Sequence, residues 1–163
     1  MPSSEARTRF IVDANVGKLA RWLRMLGYDT VFINNIDDGE LVSIALREKR
    51  VIVTKDTRII LRRVVASGRV KDVLIEYDDP GDQFRQLARA VKLDQEHKFT
   101  RCLECNQPLE PRGRDEVEGL VPPYVFETQS QYHQCPACRR IYWRATHWQH
   151  MSQVLDTLLE GSG

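Results

Sequence analysis

Residues 9–29 read RFIVDANVGKLARWLRMLGYD, and the fold class follows from how that stretch divides. Phe10, Ile11 and Val12 form a short apolar run that stops at a carboxylate, Asp13. Beyond it Leu19, Trp22, Leu23 and Leu26 recur at i, i+3, i+4 and i+7, and Gly27 closes the pattern. A buried strand followed by an amphipathic helix is the first half of a βαβ unit. Open parallel sheets bind ligands beyond the carboxyl ends of their strands, which is where Asp13 falls. Lys18, Arg21 and Arg24 occupy a different stripe of the helix from the apolar one. An acid at a strand tip with cations on the next helix points to a metal and a polyanion.

The same alternation repeats outward from this unit. TVFI (30–33) reads as a second strand, and LVSIALREKR (41–50) as a helix with Leu41, Ile44 and Ala45 on its apolar face. VIVTKD (51–56) is the clearest strand and again ends in a carboxylate. RIILRRVVASG (58–68) predicts a single helix capped by Gly68, and VLIEYDD (73–79) a fourth strand. The helix that follows starts at Pro80 and carries Phe84, Leu87, Ala88 and Val91 at helical spacing. Four strand–helix repeats specify an α/β fold, a parallel sheet with flanking helices on both faces.

The acids fall in register with the strands. Asp13 ends the first, Asp37 and Asp38 fill the second connection, Asp56 ends the third strand, and Asp78 and Asp79 end the fourth. A parallel sheet places all of them on one rim, where like charges are unfavourable unless protons or a cation neutralise them. Oxygen-only ligands suit magnesium or manganese, and two such ions about 4 Å apart can clamp the attacking and leaving oxygens of a phosphodiester. The simpler alternative is that each acid only caps the helix after it. Asp38, four residues ahead of Val42, is the acid expected to serve purely as a cap; Asp13 and Asp56 finish strands and are harder to explain that way.

Composition narrows the classes further. The 163 residues hold 24 basic and 23 acidic side chains, so any basic surface is local rather than global. No apolar run approaches the roughly 18 residues that span a bilayer, and the first nine residues lack the apolar core of a signal peptide. The expectation is a cytoplasmic protein with no membrane partner. All four cysteines lie between 102 and 138, as two C-x2-C pairs separated by 29 residues. In a reducing compartment, Cys102, Cys105, Cys135 and Cys138 read as a closed four-thiolate zinc site, structural rather than catalytic, and not as disulfides. Such a site would hold together a small second unit whose metal affinity is also folding energy.

Between the pairs, LVPPYVF (120–126) and short polar alternations suggest a β-hairpin ribbon. After Cys138 comes RRIYWRATHW (139–148), in which basic residues interleave with aromatics in a way that suits unstacked bases and phosphates. The plainer expectation is that Tyr142 and Trp143 alternate across a strand, one in the core and one covering it. His147 and His150 are surplus to a site that four cysteines already fill. Trp148, Met151, Leu155 and Leu158 define one face of a terminal helix that packs the ribbon onto the first unit.

Taken together, DANVGKLARWLRMLGYD, IDDGEL, VIVTKD, VPPY and the two C-x2-C pairs followed by IYWRATH resemble the PIN-like ribonuclease family named for the C-terminal domain of the worm mut-seven exonuclease. The resemblance covers nearly the whole chain. It implies a PIN-like nuclease domain over 8–95 and a zinc ribbon with a C-terminal helix over 96–160. It further implies that Asp13, Asp38 and Asp56 hold a divalent metal, with Asp37, Glu40 and Asp78 as additional candidate acids, and that the four cysteines hold zinc. PIN-type domains often pair, which raises the expectation of a homodimer. Two positions depart from the family pattern: Asn15 stands where a hydrophobic residue, usually methionine, is expected, and Arg139 where a zinc knuckle often has glycine.

The leading expectation is therefore a metal-dependent ribonuclease with structural Zn2+ and catalytic Mg2+ or Mn2+. Its substrate would be tRNA, rRNA or another RNA, met by Lys18, Arg21, Lys55, Arg58 and Arg144, with the ribbon aiding RNA binding. The alternative from another class is an RNA-binding module with a weak or inactive nuclease site. A phosphorylated receiver domain built on Asp56 fits poorly, because a zinc ribbon stands where a receiver needs a fifth strand bearing a lysine.

Overall fold

The computed structural model describes residues 7–144 and 146–160, without the side chains of 146–148. Four parallel strands form the first sheet: β1 (Phe10–Val12), β2 (Thr30–Val31), β3 (Val51–Thr54) and β4 (Asp72–Leu74), in the spatial order β2-β1-β3-β4. Phe10 is in register with both Thr30 and Val51, and Ile52 with Asp72. The chain thus leaves β1 for one edge and returns to build the other edge from β3. That reversal puts a topological switch point between the ends of β1 and β3, the place where open α/β sheets bind ligands.

Helices cover both faces. On one side α1 (Lys18–Met25) and α5 (Pro80–Val91) bury Leu19, Leu23, Phe84 and Leu87 against Phe10, Val12 and Val53. On the other, α2 (Asp38–Glu48) buries Leu41, Ile44 and Ala45 against Ile11 and Ile52. Alternate residues of β1 and β3 therefore serve opposite layers, as the period of a strand requires. The stretch expected to be one helix after β3 is two: α3 (Thr57–Ile60) and α4 (Arg63–Ala66). The break lets Ile59 and Val65 both reach the core, while Leu61 between them is 75% exposed. Gly27 ends α1 at φ +89°, where an added Cβ would lie 2.2 Å from the His97 carbonyl oxygen; only glycine fits this turn.

A second sheet, antiparallel, contains β5 (Glu110–Arg112), β6 (Tyr132–Gln134) and β7 (Ile141–Tyr142). The connection between β5 and β6 carries two short helices, α6 (Arg114–Val117) and α7 (Pro123–Thr128). Most of the LVPPYVF stretch is thus α7, not ribbon: Pro123 sits in the first helical turn, where a missing N–H costs nothing, and Val125 is buried beside Tyr132. The last helix, α8 (Thr146–Glu160), packs on α5, with Leu155 and Leu158 buried as expected and Met151 half-buried. The side chains of Trp148 and His147 lie outside the described residues. One apolar cluster runs from Phe10 through Leu103, Tyr142 and Leu158, so the two sheets share a core.

Candidate active site and zinc knuckles

Both cysteine pairs form the same turn. Asn106 N–H donates to the Cys102 carbonyl at 3.0 Å, and Arg139 N–H to the Cys135 carbonyl at 2.9 Å. Cys102 N–H meets the Gln107 carbonyl at 2.8 Å, and Cys135 N–H meets the Arg140 carbonyl at 3.0 Å. Asn106 and Arg139 close the two turns with φ of 64° and 68°, so Arg139 adopts the left-handed backbone for which glycine is the usual choice. The backbone N–H groups of Cys105 and Cys138 point at the sulfurs of Cys102 and Cys135, 3.4 and 3.5 Å away. All four Sγ atoms lie within 4.8 Å of one another, and none is in a disulfide.

That crowding shows in the acidities. Cys105 is pushed up to about 12, chiefly by the hydrogen bond it shares with Cys138, while the backbone N–H of Arg140 draws Cys138 down to about 7. Thiolates this close cannot all be charged unless a cation neutralises them, which fits the donor set to zinc. Tyr142 backs the site: its buried hydroxyl lies 3.2 Å from Cys102 Sγ and accepts from Leu103 N–H. Tyr142 is thus the core member of the aromatic pair, and Trp143 the half-buried one. His150 is exposed and outside the cluster.

The knuckle also clamps the two sheets. Asn106 Oδ1 accepts from Thr30 N–H on edge strand β2 at 2.9 Å, and its Nδ2 donates to Asp29 Oδ1 at 2.7 Å. Arg24 Nη1 reaches the Leu103 carbonyl at 2.8 Å, and Arg24 Nε the Thr30 carbonyl at 3.0 Å. Arg24 therefore joins the units instead of facing a polyanion.

The acids lie on the rim as the strand order demands, one capping residue per connection. Asp13 Oδ1 accepts from Ala14 N–H at 2.8 Å, at the head of a single 3-10 turn (Ala14–Val16). Asp37, not Asp38, caps α2, through Gly39 and Glu40 N–H at 3.2 Å each. Asp38 is the first helical residue, so its carboxylate is not spent on the cap. The cap falls one residue earlier because Asp37 is the one with extended backbone. Asp56 caps α3 through Arg58 N–H at 2.8 Å, and Asp79 caps α5.

Asp13 and Asp56 meet through Thr54. The Thr54 hydroxyl donates to Asp13 Oδ2 at 2.7 Å and accepts from Asp56 N–H at 2.9 Å. Arg58 spans the other side: it pairs with Asp56 Oδ2 at 3.1 Å and lies in the field of Asp38. That pairing holds the Asp56 carboxyl below its ordinary range, so it is ionised at neutral pH. Lys55 hydrogen-bonds Asp78 and lowers its pKa in the same way. Asp13, Asp38 and Asp56 do not close within 4.8 Å of one another; among the described residues only the cysteines and the trio Asp94, Glu96, His97 do. Glu40 is exposed.

Thr54 escaped the sequence, which marked Asn15 only as a departure from the family pattern. Thr54 is fully buried at the last position of a β-branched strand, and a hydroxyl in such a place needs partners, which was the available signal. Asn15, the departure from the family pattern, accepts from Lys55 N–H at 3.3 Å and so links the ends of β1 and β3. Of the expected RNA-facing cations, Arg21 pairs with Glu104 at 3.1 Å, Lys55 with Asp78 and Arg58 with Asp56, whereas Lys18 and Arg144 are exposed and in no ion pair among the described residues.

A parallel sheet with flanking helices, clamped to a four-cysteine antiparallel unit, defines an α/β domain with a zinc-ribbon-like module. Residues 8–155 match the Mut7-C RNAse domain, and the chain belongs to that family, which implies a ribonuclease acting on RNA. No curated protein and no solved structure matches it. No helix among the described residues is long and apolar enough to cross a membrane.

Proposed function

We propose that the protein is a divalent-metal-dependent ribonuclease whose metal is held by Asp13, Asp38 and Asp56. Family membership over 8–155 is the observation that carries this assignment. The donor set supports it: hard carboxylate oxygens at the switch point, at least one kept ionised by a neighbouring cation, are the ligands magnesium and manganese prefer. When bound, such an ion supplies a water nucleophile at neutral pH and charge stabilisation for in-line displacement at phosphorus. Thr54 fixes the rotamer of Asp13 and the backbone of Asp56, so two of the acids are held in one frame. Arg58 and Lys55 sit beside the acids, where they can exchange carboxylate for substrate phosphate as RNA arrives. Arg140, Trp143 and Arg144 on the ribbon side would grip the chain of the substrate.

Incubation of the zinc-loaded protein with end-labelled single-stranded and tRNA-like RNA, with and without manganese or magnesium, tests the assignment. The expected result is metal-dependent cleavage, whose ladder separates internal cuts from end trimming. One observation favours the RNA-binding module instead: the three carboxylates stand apart, and Arg58 neutralises Asp56 where a metal would. Salt-sensitive RNA binding with no turnover in either metal would decide for that function.

A further inference from the structure

Trp143 lines two crevices: the first opens where the first unit meets the ribbon, and the second lies within the ribbon unit. The first, about 190 Å³, has Leu103, Trp143 and Met151 as apolar lining, with Arg21, Arg140 and Glu104 as its polar groups. The second, about 140 Å³, is lined by Phe99, His133, Trp143, Lys98 and Arg144. Arg140 and Arg144 are exposed and form no ion pair among the described residues. Glu104 is held by Arg21 from the other unit, at 3.1 Å, so this pair bridges the mouth of the first crevice.

We propose that these two crevices take two consecutive unpaired bases of single-stranded RNA, which stack against Trp143. The proposal rests on the ribonuclease assignment and names the form of substrate it acts on. The chemistry matches at each level. Aromatic and apolar walls accept any base face, since every base presents a π surface. Arg140 and Arg144, each two residues from Tyr142 and just outside β7, supply positive charge for the phosphates on both sides of the bases. Glu104 is an acceptor, suited to the exocyclic amino group of a base in the first crevice. A paired base has its edge and faces occupied and cannot enter, so the site discriminates against duplex RNA.

The position ties the crevices to the acids. Arg21 lies one turn beyond Lys18 on α1, roughly 4.5 Å along the axis, and Lys18 opens the helix just after the Asp13 turn. RNA leaving the first crevice can follow this cationic stripe back to the carboxylate rim, with exposed Lys18 against the intervening phosphate.

Zinc-loaded protein, with no magnesium or manganese added, is titrated against a fluorescent single-stranded octaribonucleotide, the same sugar-phosphate backbone carrying no bases, and a duplex. Expected are binding of the octamer at least about tenfold tighter than either control, and a comparable loss on Trp143→Ala that is largely absent for the baseless chain. Trp143→Phe should restore most of the affinity. A 4-thiouridine octamer cross-linked to the unmutated protein should label the peptide bearing Tyr142 and Trp143, which keeps the test decisive if Trp143→Ala fails to fold. Equal affinity for the baseless chain, or cross-links confined to other segments, would overturn the proposal. Manganese-dependent cleavage of the octamer alongside that result would leave the ribonuclease assignment intact; neither binding nor cleavage of any RNA would remove both.

Discussion

Thr54 Oγ1 lies 2.7 Å from Asp13 Oδ2, a hydrogen bond from the buried end of one strand to the carboxylate that ends its neighbour. The same hydroxyl accepts from Asp56 N–H, so one side chain sets two of the three proposed metal ligands. Thr54→Val keeps the shape and removes the hydroxyl. It leaves the half-buried Asp56 N–H without its partner and costs about 1 kcal/mol of stability by denaturant titration. It should also lower kcat by roughly tenfold or more, as changes to groups that orient metal ligands do. Unchanged kcat with reduced stability would confine Thr54 to a structural part.

In the proposed metal site, Arg58 would compete with the ion for Asp56. Arg58→Ala removes the cation paired to Asp56 at 3.1 Å and present in the field of Asp38, so manganese should bind several-fold tighter by calorimetry. The KM for RNA should rise in the same variant, because a phosphate partner is lost. Weaker manganese binding would show that Arg58 organises the acids instead of screening them.

Zinc holds more than the ribbon. Cys102, Cys135 and Tyr142 belong to the cluster that includes Phe10 and Leu19, so removing the metal exposes part of the first unit's core. Metal analysis should give one zinc per chain, and chelation should lower Tm for the whole molecule in a single transition. Zinc affinity should rise with pH, because binding displaces protons from thiols such as Cys105, pushed up to about 12 in their absence. A metal-free protein with unchanged Tm would contradict the shared core.

Asp29 carries the pH dependence of the clamp. Burial raises its pKa, but hydrogen bonds from Arg50 and Asn106 outweigh it and the net shift is downward. A carboxyl lowered on folding stabilises the native state above its unfolded value, about 3.9, and that contribution fades as pH falls through the folded value. Asp29→Asn should therefore destabilise the protein at pH 7 and flatten the acid limb of its stability curve below about pH 4. Asn106→Gly, which suits the φ of 64° but drops both side-chain bonds, should cost about 1–3 kcal/mol at neutral pH.

The sequence made the strand–helix alternation legible because Phe10, Ile11 and Val12 or Leu41, Ile44 and Ala45 each report one period. It made the zinc knuckles legible because C-x2-C spacing is local. What it obscured was set by tertiary partners. Pro122 and Pro123 read equally as a ribbon break or a helix start, and only packing of Val125 on Tyr132 decides. The break between α3 and α4 follows from the need to bury both Ile59 and Val65. Asp37 and Asp38 are indistinguishable until the backbone selects which one caps. The pairing of Arg58 with Asp56 and of Arg21 with Glu104 could not be read from charge alone, so cations that looked free for RNA are engaged.

The central claim is that Asp13 and Asp56 hold the metal that cleaves RNA. The most direct measurement compares the unmutated protein with Asp13→Asn and Asp56→Asn, all zinc-loaded, on end-labelled single-stranded RNA in manganese. Cleavage should fall by at least about hundredfold in both variants, because several kcal/mol of charge stabilisation leave with the metal, while RNA binding persists. Cleavage that survives both substitutions at an undiminished rate would contradict the account.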